Sequence, residues 1–270
     1  MLSRTHPLAR RVRALRNDAA LRAREEVIVA EGIHLALEAL ACRVTIEAAL
    51  VSPRLADSGE GRELARRLSA ASVPVQETSA STLDALQDAR SPQPVLLVLK
   101  RETVPLMKVI EGRGGTPLLL VACGVQDPGN LGALLRTADA AGATGLASTV
   151  GSASLTHPRT VRASMGSIFR LPAIEAPLEV ILEAVQSSRF RIIGAAARAA
   201  TAYDAVDWGG SVALLLGAEG AGLPPEAELA LHRGVSVPMA PGVESLSVNA
   251  AAAVLLFEAS RSRRAVNRAG

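Results

Sequence analysis

The chain has 270 residues, 49% hydrophobic and 20% charged, with a mean hydropathy of +0.27; this excludes a disordered chain and leaves enough apolar mass for one large core or two ordinary ones. Aromatic residues are only 2% of the total, so the core must be built from Ala, Val, Leu and Ile. The formal charge is +3, yet of 29 basic residues only Lys100 and Lys108 are lysine, and the planar arginine fork favours bidentate phosphate contacts, although a high-GC genome would give the same bias.

The first 24 residues carry seven arginines (Arg4, Arg10, Arg11, Arg13, Arg16, Arg22, Arg24) against one acid, Asp18. On the basic helix expected over roughly 7–23, this is a local footprint for a polyanion; an organellar transit peptide has a similar composition. After "VIVAEG" come a helix "IHLALEALA", a strand "TIEAALVS", a charged helix "GRELARRLSA", a short strand near "VPVQ", a helix after "SASTLDAL" and a strand "PVLLVLK". Strands alternating with helical patterns indicate a small α/β domain. Residues 101–117 are rich in turn formers without a period. The expected division is therefore a first domain over 1–104, a linker over 105–116 and a second domain over 117–270.

The second domain alternates again, with a strand over 118–124, a helix over 131–141, a short strand at "GLAST" and a helical segment near 158–168. A helix over 177–188 follows, then strands "FRIIGAA", "SVALLLG" and "VSVP", and a long Ala-rich helix over about 247–262. Apolar runs without alternation predict strands covered on both faces, as in a parallel sheet. No apolar stretch approaches the ~18 residues of a membrane span. Cys42 and Cys123 lack metal or redox spacing and suit a reducing compartment. A soluble cytoplasmic protein is expected.

Three loops follow strands in this domain: "DPGNLG" at 127–132, "GAEGAGLP" at 217–224 and "PMAPGVESLSVN" at 238–249. Open α/β sheets place ligands where strand ends meet helix N-termini, and glycine lets backbone approach a ligand closely. Each loop alone is weak evidence, because glycine turns after strands are common. The order GxxGxG in "GAEGAG" is not the dinucleotide fingerprint, and there is no P-loop. Four scattered histidines (His6, His34, His157, His232) offer no metal-ligand spacing, so no metal is expected, and no G-x-S-x-G elbow is present. On the 131–141 helix, Leu131, Leu134, Leu135 and Ala138 form an apolar stripe. Arg136 lies about 140° from Leu131 at ~100° per residue, either as a solvated surface residue or facing a ligand or partner.

The segments "GNLGALLRTADAAG", "TVRASMGSIFRLP", "LLLGAEGAGLP" and "VPMAPGVESLSVNAAAAVLLFEA" together, in this order over about 117–262, closely resemble the SpoU (TrmH-type) RNA 2′-O-ribose methyltransferases of the SPOUT superfamily. The preceding "HPLARRVRALR" and "VIVAEGIHLALEAL" look like that family's amino-terminal RNA-binding domain, itself similar to a small ribosomal RNA-binding protein. The resemblance implies an α/β fold with a carboxyl-terminal SPOUT parallel-sheet domain holding a deep trefoil knot, although threaded chains are rare in general. It further implies a homodimer that uses S-adenosyl-L-methionine to methylate RNA, ribosomal RNA rather than tRNA, with no membrane and no metal. A relative that binds RNA without methylating it is the competing expectation.

Carried over by position, the resemblance assigns the cofactor to Gly217, Glu219, Gly220, Val237, Met239, Ser245 and Leu246. It assigns catalysis to Asn130, Arg136, Glu219 and Asn249, and RNA contacts to Arg10, Arg11, Arg13, Arg16 and Arg162. Arginine stays protonated in proteins, so Arg136 is expected to clamp a phosphate and orient the ribose hydroxyl at the dimer interface; solvent, Glu219 or another group takes the proton. Where the family usually shows "SLNVS", this chain has "SLSVN". Ser247 is expected to cap the terminal helix, with Asn249 supplying the polar contact to the active site or the partner subunit.

Overall fold

In the computed structural model, which describes Ser3, residues 5–87 and residues 92–269, the basic amino-terminal segment is two helices and not one. Helix α1 spans Pro7–Asn17 and α2 spans Ala19–Glu25. Asp18 separates them. Its extended backbone (φ −115°, ψ 106°) ends α1, while its carboxylate accepts from Leu21 N at 2.9 Å and caps α2. A short acid that caps a helix competes with continuing one, which corrects the single helix expected over 7–23. Arg4 lies outside the described residues.

Next come β1 (Val27–Glu31), α3 (Ile33–Ala41), β2 (Ile46–Val51), a 3-10 turn (Pro53–Asp57), α4 (Gly59–Ala70), β3 (Val75–Glu77), α5 (Ala80–Asp84) and β4 (Val95–Lys100). The sheet order is β1-β4-β2-β3, with β4 antiparallel to both β1 and β2, and β3 parallel to β2. Ala9, Val12 and Leu15 line one face of α1 and pack with Val27, Val29, Leu50, Leu96 and Val98. All are aliphatic, as the scarcity of aromatic residues requires.

Residues 105–116, expected to be a linker, contain helix α6 (Leu106–Glu111), whose Val109 and Ile110 are buried. Six residues are too few to display a helical period. The remaining elements are β5 (Leu118–Ala122), α7 (Pro128–Ala140), β6 (Gly145–Thr149), α8 (Pro158–Ala163), β7 (Ala173–Ala176), α9 (Leu178–Ser187), β8 (Arg191–Ala195), β9 (Thr201–Ala202), β10 (Val212–Leu216), α10 (Pro225–Leu229), β11 (Arg233–Ser236) and α11 (Val248–Ala269). The segment near 158–168 is α8 plus a 3-10 turn (Ser167–Phe169), and α11 runs beyond the expected end at 262.

Seven strands form one sheet in the order β7-β6-β5-β10-β8-β11-β9, every pairing parallel. In β5 and β10 all five residues are buried. Covered on both faces, they have no reason to alternate. Burial pushes the Cys123 thiol, just past β5, up to about 12, so it stays protonated at neutral pH.

The chain divides into two compact units, residues 1–103 with 156–169, and residues 104–155 with 170–270. Residues 156–169 thus pack with a unit that they follow at a distance in sequence. Within it, α8 lies against β1 and carries Thr160 and Val161, both fully buried. Among the described residues, no helix is long and apolar enough to cross a membrane.

Candidate functional site

The turn after β5 begins α7 by local chemistry. Asp127 is the N-cap, its carboxylate accepting from Asn130 N at 2.9 Å, and Pro128 occupies the first helical turn, where its missing N–H leaves nothing unpaired. This start aims Asn130 into the second unit's loop cluster. The Asn130 Nδ2 donates to Glu219 Oε1 at 3.3 Å, and Asn249 Nδ2 donates to Asn130 Oδ1 at 2.8 Å. Val248 N also donates to Glu219 Oε1, at 3.4 Å.

The direction of this chain follows from Glu219. A carboxylate only accepts, so Asn130 must turn its amide nitrogen toward it and its oxygen toward Asn249. Asn249 then presents its nitrogen to Asn130 and is left with Oδ1, a buried acceptor without a partner. All three loops singled out in the sequence meet in these hydrogen bonds.

The second loop is a tight hairpin closed by Ala218 N to Gly222 O at 3.1 Å and Gly222 N to Ala218 O at 2.9 Å. Gly220 (φ +83°) and Gly222 (φ +73°) adopt the left-handed backbone that favours glycine. Gly217 is needed for space: a Cβ there would lie 2.1 Å from both the carbonyl carbon and oxygen of Gly222. Val237, just before the third loop, and Met239 within it are half-buried, and Ser245 and Leu246 are exposed.

Ser247 Oγ accepts from Ala250 N at 3.3 Å, and its carbonyl accepts from Ala251 N at 3.0 Å, the N-cap geometry expected of it. Ser247→Ala should therefore lower stability by about 1 kcal/mol, read from urea denaturation; an unchanged midpoint would remove the cap.

On α7 the stripe Leu131, Leu134, Leu135 and Ala138 is fully buried, and Arg136 is exposed with no hydrogen-bond or ion-pair partner among the described residues. It stands ~9 Å along the axis from Asn130 and forms no hydrogen bond to the Asn130–Glu219–Asn249 chain.

In the first unit the arginines divide sharply. Arg10 and Arg13 are exposed. Arg11 Nη2 is 2.7 Å from both Glu25 and Glu47; burial pushes the Glu47 carboxyl up, but Arg11 and Lys100 outweigh it and hold the group below the usual carboxylate range. The Arg16 side chain, 8% exposed, lies 3.5 Å from Glu31 Oε1 and donates to Leu86 O. Arg162 Nη1 lies 3.3 Å from Glu31 Oε2. Arg22, buried, donates to Leu15 O at 2.6 Å and to Thr156 Oγ1 at 3.2 Å. The footprint read from the sequence is thus smaller than its seven arginines: Arg16 and Arg22 are committed to the interior and Arg11 to carboxylates, and Arg162, further along the chain, pairs with Glu31. Sequence reasoning missed Glu31, whose signal was an acid closing an otherwise apolar run, since a buried carboxylate needs a cation.

The profile described as the SpoU rRNA Methylase family matches residues 117–257, and that of the MRM3-like substrate binding domain matches residues 7–97. The 23S rRNA (guanosine-2'-O-)-methyltransferase RlmB of Xylella fastidiosa strain 9a5c is 36% identical over 83% of this chain and 90% of its own length. Among solved structures, the AdoMet-bound rRNA methyltransferase from Sinorhizobium meliloti is 28% identical, with a TM-score of 0.84 over 97% of each chain. The SpoU methyltransferase AviRb from Streptomyces viridochromogenes, in complex with the cofactor AdoMet, is 25% identical, with a TM-score of 0.85 over 96% of this chain and 100% of its own.

Proposed function

The chain belongs to the SpoU rRNA methylase family, and from that premise we propose that it transfers a methyl group from S-adenosyl-L-methionine to a ribose 2′-hydroxyl of ribosomal RNA. The observation that carries this reading is the closed chain Asn249–Asn130–Glu219, which ties three separate loops into one polar cluster in the second unit. The family's carboxyl-terminal trefoil knot and its homodimeric assembly are part of the proposal. Phe257 on α11 supports the dimer: it is 47% exposed in a chain with three phenylalanines.

The residues present fit the cofactor. Glycine at 217 lets the hairpin close on Gly222, and at Gly220, where nothing lies within 4 Å of the Cβ position, bare backbone faces open space that a ligand can approach. Asn249 Oδ1 offers a buried acceptor with no donor among the described residues. Gly217, Glu219 and Gly220 would hold S-adenosylmethionine together with Val237, Met239, Ser245 and Leu246, the apolar members covering a ring face. When bound, the cofactor supplies a methyl group made electrophilic by its sulfonium. Glu219 Oε1 is engaged by Asn130 and Val248, so this carboxylate holds the loops in register. Exposed and unpaired, Arg136 is available to grip the phosphate beside the target ribose and orient its hydroxyl, which is where alignment contributes most to the rate.

Substrate binding falls to the first unit, through the exposed Arg10 and Arg13. Replacing both with alanine should flatten the dependence of log affinity on log salt by roughly 0.7 per lost phosphate contact, measured by filter binding, with cofactor affinity unchanged. A slope identical to wild type would move the phosphate contacts elsewhere.

The full reading is tested by incubating the chain with methyl-labelled S-adenosylmethionine and, in parallel, protein-free 23S rRNA or bulk tRNA, then hydrolysing each RNA with alkali. The label should appear in an alkali-resistant dinucleotide, because 2′-O-methylation blocks cleavage. Label in a base would overturn the ribose assignment, and label in tRNA alone would overturn the ribosomal one.

A further inference from the structure

A cavity of about 350 Å³ opens in the first unit between the end of β2, the following 3-10 turn, α4 and β3. Val51, Leu55, Ala65, Leu68 and Val75 give it aliphatic walls. Ligand pockets of this kind pair apolar walls with a few polar groups that fix orientation, and here Ser52 supplies one. Ser52 stands at the N-cap of the Pro53–Asp57 turn, yet its side chain makes no capping bond. The residue is 3% exposed, and its Oγ is buried without a partner. Its backbone is already committed, with N donating to Pro94 O at 3.0 Å and the carbonyl accepting from Leu55 N at 2.9 Å. A buried hydroxyl left unpaired is costly, and Ser52 is one of the residues that line the cavity.

At the mouth are Arg62 and Glu77, both exposed, and Arg62 Nη1 donates to Ala56 O at 2.6 Å, steadying the 3-10 turn. Val75, on the edge strand β3, is 44% exposed although it is apolar.

We propose that this cavity is a subsite for one unstacked base of the RNA substrate, an inference that rests on the reading of the chain as an RNA-modifying enzyme. The whole lining, from Val51 to Thr78, falls inside the match to a substrate-binding domain over residues 7–97. Single-stranded RNA is recognised by bases splayed from the stack, their faces covered and their edges hydrogen-bonded. The volume suits a base with its sugar and is too small for a folded segment. With only five aromatic residues in the chain and none in this lining, aliphatic walls must cover the base. The Ser52 hydroxyl can donate or accept, and the Glu77 carboxylate accepts an amino N–H, so the polar edge of a base finds partners that water-filled space would not fix.

Two variants of the full-length chain separate this subsite from its surroundings. Ala65 is exposed on α4, so Ala65→Phe fills the cavity from outside without touching the core, whereas Ser52→Ala keeps the cavity and removes only the hydroxyl. Binding to protein-free 23S rRNA is measured over a salt series, with thermal melting and cofactor calorimetry run beside it. Ala65→Phe should weaken RNA binding about tenfold with the salt slope unchanged, because a base contact is lost and no phosphate contact is. Ser52→Ala should weaken it severalfold, with melting temperature and cofactor affinity at wild-type values. Wild-type RNA affinity in both variants would overturn the proposal, as would a flattened salt slope in Ala65→Phe, which would make this face a phosphate track. A wild-type chain with no affinity for RNA would instead overturn the functional reading itself, and the subsite with it.

Discussion

Arg136→Ala should lower methyl transfer by roughly a hundredfold or more while leaving S-adenosylmethionine affinity near its wild-type value. The side chain is exposed, has no hydrogen-bond or ion-pair partner among the described residues and makes no hydrogen bond to the Asn130–Glu219–Asn249 chain, so its removal disturbs neither the loops nor the stripe of α7 that faces the core. Arg136→Lys should recover little, because an ammonium is a point charge and cannot reproduce a two-pronged grip on phosphate. Single-turnover transfer to 23S rRNA and calorimetry with the cofactor give the two readouts. Loss of cofactor binding together with activity would place Arg136 in the cofactor pocket and end the phosphate-clamp assignment.

The second large effect is expected at Gly217. Adding one methyl group there sets a Cβ 2.1 Å from the backbone of Gly222, and backbone cannot swing aside as the tip of a side chain can. The hairpin must open, carrying Glu219 away from Asn130 and from the first N–H of α11. Gly217→Ala should therefore abolish measurable cofactor binding. Gly220→Ala is the internal control: a Cβ there meets nothing within 4 Å, and the penalty is confined to the backbone at φ +83°, about 1 kcal/mol. Calorimetry and melting curves for the pair decide it. Equal cofactor affinity in the two variants would show that the hairpin does not form the pocket.

Much of the second unit was legible because its signals are local. The unbroken runs of β5 and β10 announce strands covered on both faces, whereas α7, expected from 131, begins three residues earlier at Pro128 because Asp127 caps it. Ser247 and Asn249 were separable because one position favours a cap and the other can reach across. What could not be read depends on distant partners or on very short elements. Strands β7 and β9 and helix α10 have five residues or fewer and lack the paired valines that mark the equally short "VPVQ" and "VSVP". Arg16 looks like Arg10 and Arg13 in a sequence, and its contacts with Glu31 and the Leu86 carbonyl remove it from the surface. Nor does anything in residues 156–169 reveal that α8 packs on β1. Deleting residues 1–103 would uncover Thr160 and Val161, so the roles of the two units are better separated by substitutions such as those at Arg10 and Arg13.

That discontinuity bears on how the protein is made. A chain leaves the ribosome from its amino end at about 5–20 residues per second, so β1 to β4 emerge several seconds before Arg162 exists. During that interval Glu31 has Arg16 beside it but not its second guanidinium, and the face of β1 that will carry α8 is bare. The first unit is therefore expected to remain open to proteolysis on the nascent chain until Arg162 has been synthesised, and to close only when residues 156–169 arrive. Chains truncated after residue 103 and after residue 175 and released from the ribosome would differ in protease resistance over residues 5–87, although both contain that segment in full.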